Sequence, residues 1–164
     1  MSRYVSLMAV LAVILLPMGA MAKPLVSVSI TAEKEVTAVK NGQKVSKKVA
    51  ATRIDAGDVV FYTLHYINSG DEAATKAVMD DPIPKGTVYL PGSAFGAGAE
   101  ITFSIDGGKR FKKPSLLIYE VKNPNGSTDK RTASPEDYTH IRWVIDKIDA
   151  GARGEVGFQV KIKR

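Results

Sequence analysis

Two histidines, His65 and His140, and no cysteine are all that this 164-residue chain offers for activating a nucleophile near neutral pH. A Cys-His pair is therefore impossible. A Ser-His-Asp relay would need one of these histidines beside a serine on a strained elbow, and the sequence holds no such elbow. Gly107-Gly108-Lys109 runs into Arg110 and lacks the earlier glycine and the Ser/Thr of a phosphate-binding loop. Gly96-Ala97-Gly98 is a flexible loop that joins no strand to a helix. Asp71, Glu72, Asp80 and Asp81 lie near turns, but a calcium site gathers about six to eight oxygens and no EF-hand spacing is present. The simpler reading is that Asp71 and Glu72 solvate a turn while Asp80 and Asp81 cap a strand end. These residues lead us to expect no enzyme, no cofactor and no metal site.

Binding chemistry is better represented. The formal charge is +6, with positives grouped in Lys44, Lys47 and Lys48 and again in Lys109, Arg110, Lys112 and Lys113. The second group could hold an anionic glycan or another anionic ligand through charge. Lysines in solvated loops and on edge strands also discourage sheet-to-sheet aggregation, which is their plainer role. No aromatic residues interleave with them as a nucleic-acid platform requires, so no nucleic acid is expected. Asn125-Gly126-Ser127 matches a glycosylation acceptor and is equally a turn signal.

A third candidate lies in GDVVFYTLHYINSGD, residues 57 to 71, which reads as a strand and a turn. Val60, Tyr62, Leu64 and Tyr66 share one face, yet Phe61, His65 and Ile67 make the other face apolar too. A half-buried strand needs only one such face. The second face is covered by the hairpin around Asn41-Gly42, covered by a docked partner, or left partly exposed. The hairpin is the first expectation and a partner-binding surface the second.

The elements that position these residues are strands. Residues 1–22 read as a secretory leader: Arg3, the apolar stretch Val5 to Leu16, and Ala20-Met21-Ala22 as a small-residue cleavage site. That stretch is shorter than the roughly 20 residues that span a bilayer, so no retained membrane segment is expected. Residues 23–164 then form one exported domain, periplasmic or extracellular, built without disulfides. Alternation with period two recurs through it. Val26, Val28 and Ile30 start it, Glu35 to Val39 and Lys44 to Val49 flank the Asn41-Gly42 turn, and Val156, Phe158, Val160 and Ile162 end it. Further strands fall at Thr75 to Met79, Thr87 to Leu90, Glu100 to Ile105, Leu116 to Val121 and Thr139 to Ile145, with prolines between them. Trp143, the sole tryptophan, shares a face with Ile141 and Ile145 and reads as a core anchor. Asn68 and Asp80 are placed to bond backbone at strand ends. An antiparallel β-sandwich of about seven to nine strands follows.

The run IDAGDVVFYTLHYINSGDEAATKAVMDDPIPKGTVYLPGSA, Ile54 to Ala94, resembles the repeat of the bacterial and archaeal family called domain of unknown function 11. The shared course is a Gly-Asp entry, an aromatic and aliphatic strand, Asn-x-Gly, a strand ending in Asp, Pro-x-Gly, Tyr, and a Gly-Ser-Ala turn. Trp143, the turn Ile148-Asp149-Ala150-Gly151 and the final strand to Ile162 are similar as well. The resemblance implies an immunoglobulin-like sandwich displayed outside the cytoplasm, with no shared activity. The single copy sets this chain apart from the family's repeated modules. A structural or protein-interaction module of the cell envelope is the expected function, with an envelope or surface protein, or a second copy, as partner.

Overall fold

The computed structural model describes residues 23–40 and 43–164. The leader expected at residues 1–22 and the tip of the Asn41-Gly42 turn lie outside the described residues. Among the described residues there are eleven strands: β1 (Val26–Lys40), β2 (Gln43–Ala50), β3 (Val59–Asn68), β4 (Ala74–Pro82), β5 (Thr87–Tyr89), β6 (Phe95–Gly96), β7 (Ala99–Ser104), β8 (Ile118–Lys122), β9 (Thr128–Thr132), β10 (His140–Ile148) and β11 (Arg153–Ile162). The only helical pieces among them are short 3-10 turns at Pro114–Leu116 and Pro135–Asp137. No helix there is long and apolar enough to cross a membrane.

Every strand pairing is antiparallel. The main sheet runs β2-β1-β3-β11-β5, with β6 also on β11, and a second sheet runs β4-β10-β7. The strands β8 and β9 form a separate hairpin. The alternation read from sequence becomes the wall between these sheets. Val60 and Leu64 of β3 and Val156, Phe158 and Val160 of β11 point inward to meet Ile141, Trp143 and Ile145 of β10, Met79 of β4 and Phe103 of β7. Each fully buried side chain of this kind stabilises the fold by about 1.5–3 kcal/mol relative to exposure. Trp143 is fully buried with its ring 6.0 Å from that of Phe158, and Tyr62 stacks on Phe158 at 5.3 Å. Tyr89, Phe103 and Tyr138 close one end with centroids 4.8 to 5.9 Å apart. The result is a β-sandwich.

The described residues hold eleven strands where about seven to nine are expected, and three differences from the ten segments read as strands account for the count, one merger and two additions. The first two expected strands are one, because Ala32-Glu33-Lys34 contains no breaker and β1 crosses from pairing with β3 to pairing with β2 at Glu33 and Lys34. The strand β9, TDKRT, is polar throughout and carries no alternation. It forms because the Asn125-Gly126 turn aligns it on β8, with Gly126 at φ 85 and its amide donating to Asn123 O at 3.0 Å. The third is β6, two residues long. The hairpin expected to cover Phe61 extends the main sheet, with β2 paired to β1 on the side away from β3, and it reaches over Phe61 through the Lys48 side chain.

Asn68 joins three segments at one end of the sandwich. It is fully buried. Its Oδ1 accepts from Leu25 N at 3.0 Å and Gly70 N at 3.1 Å, and its Nδ2 donates to Glu72 O at 2.7 Å, Ile148 O at 3.0 Å and Asp149 O at 3.3 Å. A strand-end role for Asn68 follows from its sequence, but the reach across about eighty residues does not. Asp80 and Asp81 differ from the strand-end caps expected of them. Asp80 binds Arg142 across the second sheet in a bidentate pair, both contacts 2.6 Å, and Asp81 turns inward and is buried.

Candidate functional site

Odd-numbered residues of β3 point away from the second sheet, and register places their neighbours. Opposite Phe61, His65 and Ile67 stand Glu33, Ser29 and Ser27 of β1 on one side, and Gln159, Glu155 and Arg153 of β11 on the other. The sequence-predicted partner site is therefore one continuous patch on the outer face of the main sheet. Two adjoining hollows lie on it. One, about 620 Å³, is lined by Ser27, Ser29, His65, Ile67, Arg153 and Glu155. The other, about 250 Å³, includes Thr31, Lys48, Phe61, Phe95 and again His65 and Glu155.

Three contacts order this face. Lys48 Nζ stands 4.4 Å above the centre of the Phe61 ring, a cation over a π face. The His65 ring bridges outward, with Nδ1 3.5 Å from Glu155 Oε2 and Nε2 3.4 Å from Thr31 Oγ1. Phe95 rests on Gly157, where a Cβ would meet the Phe95 ring at 2.7 Å and Tyr62 O at 2.4 Å. Glycine at that position is what lets the ring lie flat against the sheet. Phe95, Arg153 and Glu155 are the members of the site that sequence reasoning did not assign. Glu155 alternates outward from the core residues of the last strand, but only pairing reveals that it faces His65. Phe95 sits in a glycine-rich loop whose sequence gives no sign of a strand.

Thr31, His65 and Glu155 follow one another in the order of a hydroxyl-imidazole-carboxylate relay. Their contacts are long, and the His65 and Glu155 side chains are about half exposed to water. Strand amides lie in the plane of the sheet, so the donors on this face are side chains, Lys48 and Arg153 among them.

The basic cluster is divided. Arg110 Nε donates to Asp106 Oδ2 at 2.7 Å, and Lys113 Nζ lies 3.9 Å from Glu100. Lys109 and Lys112 are exposed. Arg110, by side chain and backbone, and the Ser104 hydroxyl hold the Asp106 carboxyl well below the ordinary carboxylate range. Elsewhere, burial pushes the Asp81 carboxyl up to about 6. A hollow of about 700 Å³ at the C-terminal end, between Val88–Pro91, Ser134–Glu136 and Lys161–Arg164, is larger than those on the outer face. No ion pair or side-chain hydrogen bond ties its charged residues together among the described residues, so it lacks the ordering seen around His65. Nor do three or more His, Cys, Asp or Glu side chains converge as a metal set among the described residues. Compared with family models, with curated proteins and with solved structures, the chain finds no match.

Proposed function

We propose that the chain is a non-catalytic interaction module of the cell envelope that grips a protein partner on the outer face of its main sheet. The carrying observation is the outer-face patch of exposed His65 between half-buried Phe61 and Ile67, flanked by Phe95, Arg153 and Glu155 and indented by two adjoining hollows. Apolar rings at its floor would supply burial, and Arg153, Glu155 and Lys48 would set register at the rim. The leader-like residues 1–22 support export, and the Ile54 to Ala94 motifs support an immunoglobulin-like module of the domain of unknown function 11 type. An anionic glycan held by Lys109, Arg110, Lys112 and Lys113 has less support, because Asp106 and Glu100 face two of those four charges.

The test is capture from the native envelope with the tagged, exported protein. Replacing Phe61 and Ile67 together by Thr should cut recovery of the captured partner about tenfold or more, since hot-spot truncations cost upwards of 1–2 kcal/mol. The denaturation midpoint should barely move, because both side chains point out of the core. Undiminished capture, or loss of the fold, would remove this reading.

A further inference from the structure

The main sheet has an unfinished edge. β1 pairs with β3 along Val26–Lys34, but β2 takes up the opposite edge of β1 only from Glu33 onward. Backbone groups of an antiparallel strand point alternately to its two neighbours. Leu25 bonds toward β3, its carbonyl accepting from Ser69 N at 2.8 Å, while the Ala32 carbonyl accepts from Ala51 N at 2.9 Å on the other side. Odd residues of β1 thus serve β3. The N–H and C=O groups of Val26, Val28 and Ile30 face outward, with no strand beside them among the described residues.

This edge lacks the devices that keep strand edges apart. From Pro24 to Ala32 it carries no charged side chain, whereas β2 on the same flank brings Lys44, Lys47 and Lys48. On the core-facing side of β1, Val28 and Ile30 remain 48% and 51% exposed, because the three-stranded second sheet stops short of them. The segment is also held rigid: Leu25 N is bonded to Asn68, and Gly70 leaves room for the chain with a Cβ position only 2.2 Å from Lys23 O. Little ordering is left to be lost on pairing.

From these features we propose that the occupant is a second copy of this chain, joined edge to edge through β1 about a two-fold axis at Val28. Antiparallel pairing about that axis sets Val28 opposite Val28 of the second copy, Val26 opposite Ile30, and Ser27 opposite Ser29. Each outward-facing residue exchanges two backbone bonds with its counterpart, and apolar meets apolar on one face while hydroxyl meets hydroxyl on the other. The pairing ends where it must. At one limit Ala32 O is already taken by Ala51, and the residue opposite it, Pro24 of the second copy, has no N–H to offer. The self-matching length and the absence of charge favour a copy over a foreign strand. This edge borders the outer-face patch and shares Ser27 and Ser29 with it, so the Val28 variants test the edge and the Phe61 and Ile67 variants test the patch.

The full-length chain, expressed with its leader in an exporting host and purified as the cell leaves it, should sediment as a dimer. Val28→Lys sets two like charges face to face on the axis and should weaken dimerisation about tenfold or more. The chain has no cysteine, so register can be read by oxidation of single variants. In Val28→Cys the facing Cα atoms would be about 5.5 Å apart, within the roughly 4.4–6.8 Å of disulfides, and a covalent dimer should form. In Ile30→Cys the two new thiols would be offset by four residues, about 13 Å, and should not cross-link. Denaturation midpoints measured at concentrations where the parent and variant chains are both monomeric should agree, which keeps the comparison clean. A monomer at the highest soluble concentration, cross-linking equal at both positions, or a foreign chain seated in place of the second copy would each overturn the proposal.

Discussion

Replacing Asn68 by Asp removes one nitrogen and should cost most of what the residue contributes. The Oδ1 contacts to Leu25 N and Gly70 N survive the change, but the Nδ2 that donates to Glu72 O, Ile148 O and Asp149 O becomes an oxygen. Two well-formed donated bonds are lost and their carbonyls left facing another acceptor, at about 1–3 kcal/mol for each buried group without a partner. A loss of about 3–5 kcal/mol at pH 8 follows, a large share of the 5–15 kcal/mol typical of a domain. Asn68→Ala, which also leaves the two amides unpaired, should lose about as much at every pH. The Asp variant should not, since protonation returns one donor to the site. Burial among carbonyls raises the variant's folded pKa above the unfolded value, so the native state binds the extra proton and stability falls as pH rises through that window. The slope reaches at most about 1.4 kcal/mol per pH unit. Urea denaturation followed by far-ultraviolet circular dichroism at pH 5 and pH 8 reads both effects. With a slope of about 1–3 kcal/mol per molar urea, the midpoint should drop by roughly 1–5 M at pH 8. A drop corresponding to less than about 1 kcal/mol, or the same drop at both pH values, would refute the account of Asn68 as the joint between β1, the β3–β4 turn and the β10–β11 turn.

Asp81 makes the opposite prediction for a native residue. With its folded pKa raised to about 6, it destabilises the fold increasingly as pH climbs from about 4 to 6, so Asp81→Asn should gain on the order of 2 kcal/mol at pH 7.5 and almost nothing at pH 3.5. Denaturation midpoints at the two pH values check this, and an equal gain at both would count against it. Asp106 gathers the amides of Lys109 and Arg110 and the Arg110 side chain, so Asp106→Asn should loosen that loop. Faster trypsin cleavage after Lys109 or Arg110 at neutral pH, with cleavage elsewhere unchanged, is the expected result.

What could be read from the sequence was the local part of the fold. Val156, Phe158 and Val160 alternate so clearly that the inward face of β11 follows from composition alone, and Ile141, Trp143 and Ile145 do the same for β10. The Asn41-Gly42 pair signalled a hairpin, and β1 and β2 on either side of it pair from Glu33 opposite Ala50 to Lys40 opposite Gln43. The non-local part was hidden. That β3 lies between β1 and β11 explains its two apolar faces, since Phe95 and Lys48 arrive over the outer one from distant segments. The inward turn of Asp81 runs against its chemistry and could be learned only from its pairing with Ile141. The β9 strand is held by its turn and its partner, with no burial of its own to leave a trace. For the candidate site, Phe61, His65 and Ile67 were legible as an unexplained apolar face. Glu155 and Phe95 were not, because nothing local says what lies across a sheet.

The lone indole reaches the outer groove indirectly. Trp143 Nε1 donates to the Phe95 carbonyl at 3.0 Å while the ring of that same residue lies on the far side of the main sheet. Anything that seats itself against Phe95 tugs on the one hydrogen bond the fluorophore makes. The protein thus carries its own optical gauge of occupancy: emission wavelength and quenching can be titrated directly, with no label attached and no second tryptophan to blur the signal.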